Sequence, residues 1–297
     1  MERQLLIVTV RWTDMEILVF GLTLSLMYGL IAAGFALILG ASRIFDLCFG
    51  SYYLLAAYSY FVLYEIVGKL PALFLSIVIA ASLAWIIHRA ILFRFRETPI
   101  VVMVVSAALA IGISEAITLI FGSDYKYVPP LLEGSIDILG ASIANQRLLA
   151  GIVAIAALTL LWLYLNKTKY GLGIRALIQQ PEVAELAGVR PRKIHLTVAC
   201  VGAVLGALGS IMVVPVFTLT PHIWLDAILL AFAGVVVGGL GSVWGSFLAM
   251  VLIAFSETLV SFLIPEGGFF RQAVYVFIMV VVLLVRPYGI FGKKEEA

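Results

Sequence analysis

The sequence predicts an all-α polytopic membrane protein, a bundle of roughly 8–10 transmembrane helices with broken, glycine-rich segments. Three observations point there. Of the 297 residues, 63% are hydrophobic and 12% charged, with a mean hydropathy of +1.15; a soluble domain cannot hide so much apolar surface. The apolar residues come in runs of about 20, the length that crosses a hydrocarbon core. One long polar interval, residues 166–195, interrupts the second half and carries the marks of a short helix outside the membrane.

The first run extends from Glu16 to Leu39 and is followed by the polar break Ser42-Arg43-Ile44-Phe45-Asp46. The next runs from Leu47 to Val67, with Gly68-Lys69-Leu70-Pro71 as its turn, and another from Ala72 to Leu92. A basic loop with Arg89, Arg94 and Arg96, beside Glu97 and Thr98, leads into Pro99–Phe121. Residues 122–146 form a longer polar interval holding Asp124, Lys126, Glu133 and Asp137, and its alternating I-D-I-L-G-A-S-I stretch reads as a small hairpin. Leu148–Leu165, Leu196–Leu219, His222–Leu240, Gly241–Ile264 and Phe270–Val285 complete the set. Lys167, Lys169, Arg175, Arg190, Arg192 and Lys193 place the central loop in the cytoplasm, and Arg286, Lys293 and Lys294 place the C-terminus there. Roughly nine crossings with the N-terminus outside follow. The N-terminal residues lack a small-residue cleavage site and do not read as a cleaved signal.

Within the central loop, Pro181 to Gly188 reads as one helix. Pro181 fits a first helical position, Glu182 and Glu185 set negative charge near the positive helix end, and Gly188 suits the residue just past the end. Val183, Leu186 and Ala187 share a face. So short a helix is marginal alone, so it must pack on its own membrane domain or on another protein.

Two glycine segments echo one another: Phe49-Gly50-Ser51-Tyr52-Tyr53, and Leu240-Gly241-Ser242-Val243-Trp244-Gly245 after the run from Gly234 through Gly238 and Gly239. Paired glycine-interrupted spans in two halves of a chain mark a transport pathway, although small residues also serve plain helix packing. Ionisable residues inside spans are functional candidates. Asp46 stands at the first break with Arg43 near it, a possible local pair; Glu115 and Glu257 sit within spans, either facing a pore or hydrogen-bonded inside the bundle; Asp226 falls near an outer end. The candidate pathway is therefore Asp46, Gly50, Ser51, Tyr52, Gly238, Gly239, Gly241, Ser242 and Glu257, with Tyr53, Tyr58 and Tyr60 divided between lining and packing. Cys48 and Cys200 form no CxxC pattern, and His88, His195 and His222 are far apart near segment ends, so neither metal nor disulfide is expected.

These residues resemble the membrane permease of high-affinity branched-chain amino acid ATP-binding cassette importers, the LivH type. The resemblance covers nearly the whole chain and rests on four blocks: Gly21–Gly40; Lys169-Tyr-Gly-Leu-Gly-Ile-Arg-Ala176 with Glu182–Val189; Ala231–Ser242; and Leu284-Val-Arg-Pro-Tyr-Gly-Ile-Phe-Gly292. It implies one permease domain over residues 1–297, in which loop 166–195 carries a coupling helix docking on an ATPase subunit, with Arg175, Glu182, Ala184, Leu186 and Gly188 as the coupling positions. It also implies a plasma (inner) membrane location, a second related permease as heterodimer partner, two ATP-binding cassette ATPase subunits and an external substrate-binding protein, with no cofactor and no nucleic acid. The chain departs from the family where Asn-Phe-Ala-His-Gly is usual: Asp46-Leu47-Cys48-Phe49-Gly50 stands there, and Leu172 replaces a usual arginine. The first departure leaves the substrate open, since related permeases carry urea, short amides or other amino acids. No GxxxxGK[ST] loop, nucleophile elbow or HExxH motif occurs, so ATP hydrolysis by this chain and membrane enzymology both lack a motif. An ion-coupled secondary transporter using Asp46, Glu115 or Glu257 is the competing expectation.

Overall fold

The computed structural model describes residues 2–95, 98–138, 141–264 and 267–292, with side chains from residue 16 apart from those of Ile138 and Ala141. Arg96 and Glu97 of the basic loop, and Lys293 and Lys294, which entered the orientation argument, lie outside the described residues. The chain runs α1 (Glu2–Ser42), α2 (Cys48–Val67), α3 (Lys69–Ala90), α4 (Pro99–Phe121), β1 (Ser135–Ile138), β2 (Ala141–Ala144), α5 (Asn145–Lys167), α6 (Lys169–Gln179), α7 (Pro181–Leu186), α8 (Pro191–Val213), α9 (Ile223–Gly238), α10 (Val243–Leu263) and α11 (Arg271–Val285). It is an all-α bundle in which, among the described residues, seven helices are long and apolar enough to cross a membrane: α1 from Glu16, α3, α4, α5, α8, α10 and α11.

The two remaining expected spans differ for physical reasons. Helix α9 is apolar but only 16 residues long. Helix α2 is long enough, yet its five tyrosines dilute its hydropathy; Tyr52, Tyr53, Tyr58 and Tyr60 are buried, so their rings face protein rather than lipid. The boundaries moved in two places. Lys69-Leu70-Pro71 belongs to α3 rather than to a turn, because a proline in the first helical turn costs no hydrogen bond. Helix α8 starts at Pro191, in the position proline favours, and ends at Val213, before Pro215.

Helix α1 is the axis. Of its span window 89% is buried, because α5, α8, α9 and α10 pack around it. Helix α2 lies against α3, α4, α8 and α9. The outer helices α3 and α4 touch the bundle through a seam of small residues at every fourth position, the repeat that returns to one helix face. On α3 the seam is Ala72, Ser76, Ala80 and Ala84; on α4 it is Val102, Ser106, Ala110 and Ser114. Small side chains let helix backbones approach where no hydrophobic force drives them together in lipid. The α4 seam is also bonded: Ser106 Oγ accepts the Leu47 N–H at 3.1 Å, and Ser114 Oγ donates to the Pro221 carbonyl at 2.9 Å.

The alternating stretch after Gly134 forms the expected hairpin, with Ser135 paired to Ala144 and Asp137 to Ser142; its turn, Leu139-Gly140, lies outside the described residues. Gln146 ties the hairpin region to the bundle, its Oε1 accepting the Leu131 N–H at 2.9 Å. The strands lie at one end of the bundle and α6 and α7 at the other, which are called here the hairpin end and the α7 end.

Candidate functional site

The α7 segment is built locally. Thr168 caps α6, its Oγ1 accepting the Gly171 N–H at 3.0 Å, and Arg175 donates to Asn166 Oδ1 at 3.0 Å, which braces α6 on the end of α5. Sequence reading placed only a loop here. Pro181 opens α7, Glu182 occupies its first turn, and Gly188 closes the segment at φ +87°, its N–H bonding the Glu185 carbonyl at 2.9 Å while the Val189 N–H bonds that of Ala184 at 3.0 Å. Ala184 is the one buried residue of α7, while Val183 is 56% and Leu186 89% exposed. The face of Val183, Leu186 and Ala187 is thus turned away from its own bundle; Ala184 alone anchors the helix.

Asp46 lies buried beneath the α7 end. Its Oδ1 accepts the Cys48 N–H at 2.9 Å, and its Oδ2 lies 2.9 Å from His88 Nε2 and 3.5 Å from the Tyr52 hydroxyl. The structure thus ties Asp46 to His88 on α3, a partner the sequence reading did not name. Asp46 and His88 line a pocket with His195 and the apolar Ile38, Leu92, Val102 and Val198, so two histidines distant in sequence meet at one site. No group of three or more potential metal ligands occurs among the described residues.

Glu257 belongs to a second buried cluster, toward the hairpin end. Its Oε1 accepts from Arg271 Nε at 2.5 Å and from the Tyr28 hydroxyl at 3.1 Å, and Arg271 Nη2 also donates to Tyr28 at 2.6 Å. The guanidinium carbon stands 3.9 Å from the centre of the Phe217 ring, a cation–π placement. One residue on, Gln272 donates to Asp226 Oδ1 at 2.6 Å. Three helices, α1, α10 and α11, are joined through one carboxylate.

The remaining pathway candidates sit in tight packing. Gly50, Ser51 and Tyr52 are fully buried on α2, and a Cβ on Gly50 would lie 2.7 Å from Ile228 Cδ1, so α2 meets α9 there at a distance only glycine permits. Gly238 ends α9 against Gly245 of α10, and Ser242 caps α10 by accepting the Gly245 N–H at 3.0 Å. Gly241, at φ +84°, packs beside Gly40 of α1. Gly239, at φ +103°, receives the C-terminal segment: the Ile290 N–H bonds the Val237 carbonyl at 2.8 Å and the Phe291 N–H bonds that of Gly238 at 3.2 Å. The structure thus joins Asp46 with Tyr52, and Gly238 with Gly245, but sets Asp46 and Glu257 toward opposite ends of the bundle. His88, Arg271 and Tyr28 were missed as members of these clusters. Arg271 carried a usable signal, as the one cation in the last apolar span; His88 carried none beyond its residue type.

The chain is a multi-pass helical bundle with a buried Glu257–Arg271 pair and a short helix that exposes Val183 and Leu186 at one end. Residues 17–285 match the family model described as branched-chain amino acid transport system / permease component, and the chain belongs to that family. It is 25% identical over 292 residues to the high-affinity branched-chain amino acid transport system permease protein LivH of Salmonella typhimurium, covering 93% of this chain and 94% of that one. It is 25% identical to BraD of Pseudomonas aeruginosa, over 94% and 95% of the two chains, and 27% identical to a probable LivH permease of Methanocaldococcus jannaschii, over 89% and 88%. Among solved structures the fold is similar to a chain of PsaBC from Streptococcus pneumoniae in complex with Fab, with a TM-score of 0.55 at 13% identity, covering 92% of each chain.

Proposed function

We propose that this chain is the permease subunit of an ATP-binding cassette importer in the inner membrane, moving branched-chain or related amino acids handed over by an external binding protein. The observation that carries the reading is α7: a six-residue helix held by Ala184, with Leu186 89% exposed and Val183 56% exposed outside every span. A helix too short to be stable alone, showing its apolar side chains to solvent, is built to be covered by a partner. An ATPase subunit is the partner that supplies what the chain lacks, since it carries no phosphate-binding loop. Arg175, Glu182, Ala184, Leu186 and Gly188 then form the docking element. ATP-driven closure of the paired ATPases pushes α7 and, through α6, the ends of α5 and α8, switching the bundle between two states. In this reading the α7 end is cytoplasmic and the hairpin end external, and residues 1–297 act as one domain beside a second permease chain.

The test is uptake into membrane vesicles with the ATPase and binding protein present. Glu182→Lys combined with Gly188→Trp should leave the chain inserted, abolish uptake and leave ATP hydrolysis running uncoupled. Unchanged uptake removes the docking role, and uptake driven by an ion gradient with no ATPase present overturns the importer reading in favour of a secondary transporter.

A further inference from the structure

Helix α4 has two faces, and its own bundle uses only one. Val102, Ser106, Ala110 and Ser114 form the buried seam. At about 100° per residue, the side directly opposite carries Val104, Ala108, Ile111, Gly112, Glu115 and Leu119, and every one of these is exposed. Glu115 is the anomaly. It lies six residues from the last residue of α4, about 9 Å along the helix axis, inside a span of mean hydropathy 2.3. Among the described residues it is the one carboxylate exposed within a span more than a helical turn from either end. A carboxylate at hydrocarbon depth is costly unless it is paired or reaches water, and the side chain is too short to reach a headgroup from there. The flanking residues suit a helix partner: Ala108 and Gly112 are one turn apart, and a Cβ added to Gly112 would meet nothing within 4 Å, which leaves room for a second helix to come close.

We propose that this face of α4 docks a transmembrane helix of a different membrane chain, one that presents a lysine or arginine at the depth of Glu115. A second copy of this chain does not fit. Symmetric packing on this face sets Glu115 near Glu115, and like charges brought together in low dielectric repel. Nor do the basic residues of the hairpin end complement it: Lys69 is paired with Glu133, Arg147 stacks on Phe20, Arg271 is held by Glu257 and Tyr28, and Lys126 sits in the polar loop five residues beyond the end of α4, outside the span that holds Glu115. The proposal gives a surface to the second permease chain and depends on the importer reading only for that chain's identity.

The test places a photocrosslinking amino acid at Ala108 and, separately, at Leu119, in the assembled transporter in native membranes. Adducts should map to one membrane helix of one other chain, and that helix should carry a lysine or arginine near the attachment point. Glu115→Lys should cut recovery of that chain with this one at least tenfold, Glu115→Gln less, and exchanging the partner's basic residue for glutamate should restore recovery with Glu115→Lys. The amount of this chain in the membrane, read on the same gel, separates lost association from lost folding. Adducts only with lipid, or only with a second copy of this chain, overturn the proposal. So does rapid labelling of a cysteine at Ala108 by a water-soluble maleimide in the assembled complex, which makes the face part of an aqueous path. Membranes that give the adduct but show no ATP-driven uptake sink the importer reading and leave this one standing.

Discussion

Among the described residues each end of the bundle buries one carboxylate, and the two are satisfied by different means. Asp46, at the α7 end, spreads its charge over three donors, a backbone N–H, a phenol and an imidazole, and uses both oxygens. Glu257, toward the hairpin end, loads both of its donors on Oε1 and leaves Oε2 without a partner among the described residues. It depends on one guanidinium. Distributed solvation tolerates the loss of a member; a concentrated ion pair does not, because removing one partner strands a buried charge. The contrast also fits the mechanics of each place. Asp46 fixes the break between α1 and α2 onto α3 through contacts that are mostly local, whereas Glu257 and Arg271 hold α11 to α1 and α10 across the fold.

The comparison breaks most visibly at Arg271. Arg271→Gln should destabilise the purified protein by about 3–5 kcal/mol, read as a large fall in melting temperature in detergent. Adding Glu257→Gln should recover much of that loss, and a double-mutant cycle gives the coupling. His88→Gln should cost only about 1 kcal/mol, since the Cys48 N–H and the Tyr52 hydroxyl still reach Asp46. Equal losses for the two substitutions mean that the charge at Asp46 is as concentrated as that at Glu257. The smallest effect belongs to the exposed pair Lys69–Glu133, at 2.7 Å. The Lys69 ammonium holds the Glu133 carboxyl below the ordinary carboxylate range. A lowered carboxyl contributes its stability above its unfolded value and loses it as pH falls through the lowered one. Lys69→Gln should therefore shift the melting temperature slightly at neutral pH and by nothing in strong acid, and added salt should shrink the neutral shift.

Much of this architecture was legible because a bilayer allows few solutions. Runs such as Pro99–Phe121 and Gly241–Ile264 located their helices to within a few residues, since length and apolarity alone decide what crosses. The hairpin was legible from alternation and α7 from Pro181, Glu182 and Gly188, each of which answers a local backbone requirement. Helix α6 was not, because its alternating glycines and charges read as loop, and only contact with α5 and α8 makes it a helix worth forming. The charged clusters were half legible. Asp46 and Glu257 stood out as ionisable residues in apolar surroundings, but His88 lies 42 residues from Asp46 and Tyr28 lies 229 from Glu257, and no local rule spans such gaps. Which side of α4 meets the bundle follows from the four-residue repeat of Val102, Ser106, Ala110 and Ser114, a pattern present in the sequence but decisive only once the partner helices are known.

The burial of α1 has a consequence for biosynthesis. Of the seven apolar helices, α1 is made before the others and is the most completely enclosed in the finished protein, and α8 and α10, which cover it most closely, begin only at Pro191 and Val243, about 150 and 200 positions after its last residue, Ser42. During that interval α1 sits in the nascent assembly with an open flank, and the axis of the molecule is completed only when the last third of the chain arrives to wrap it.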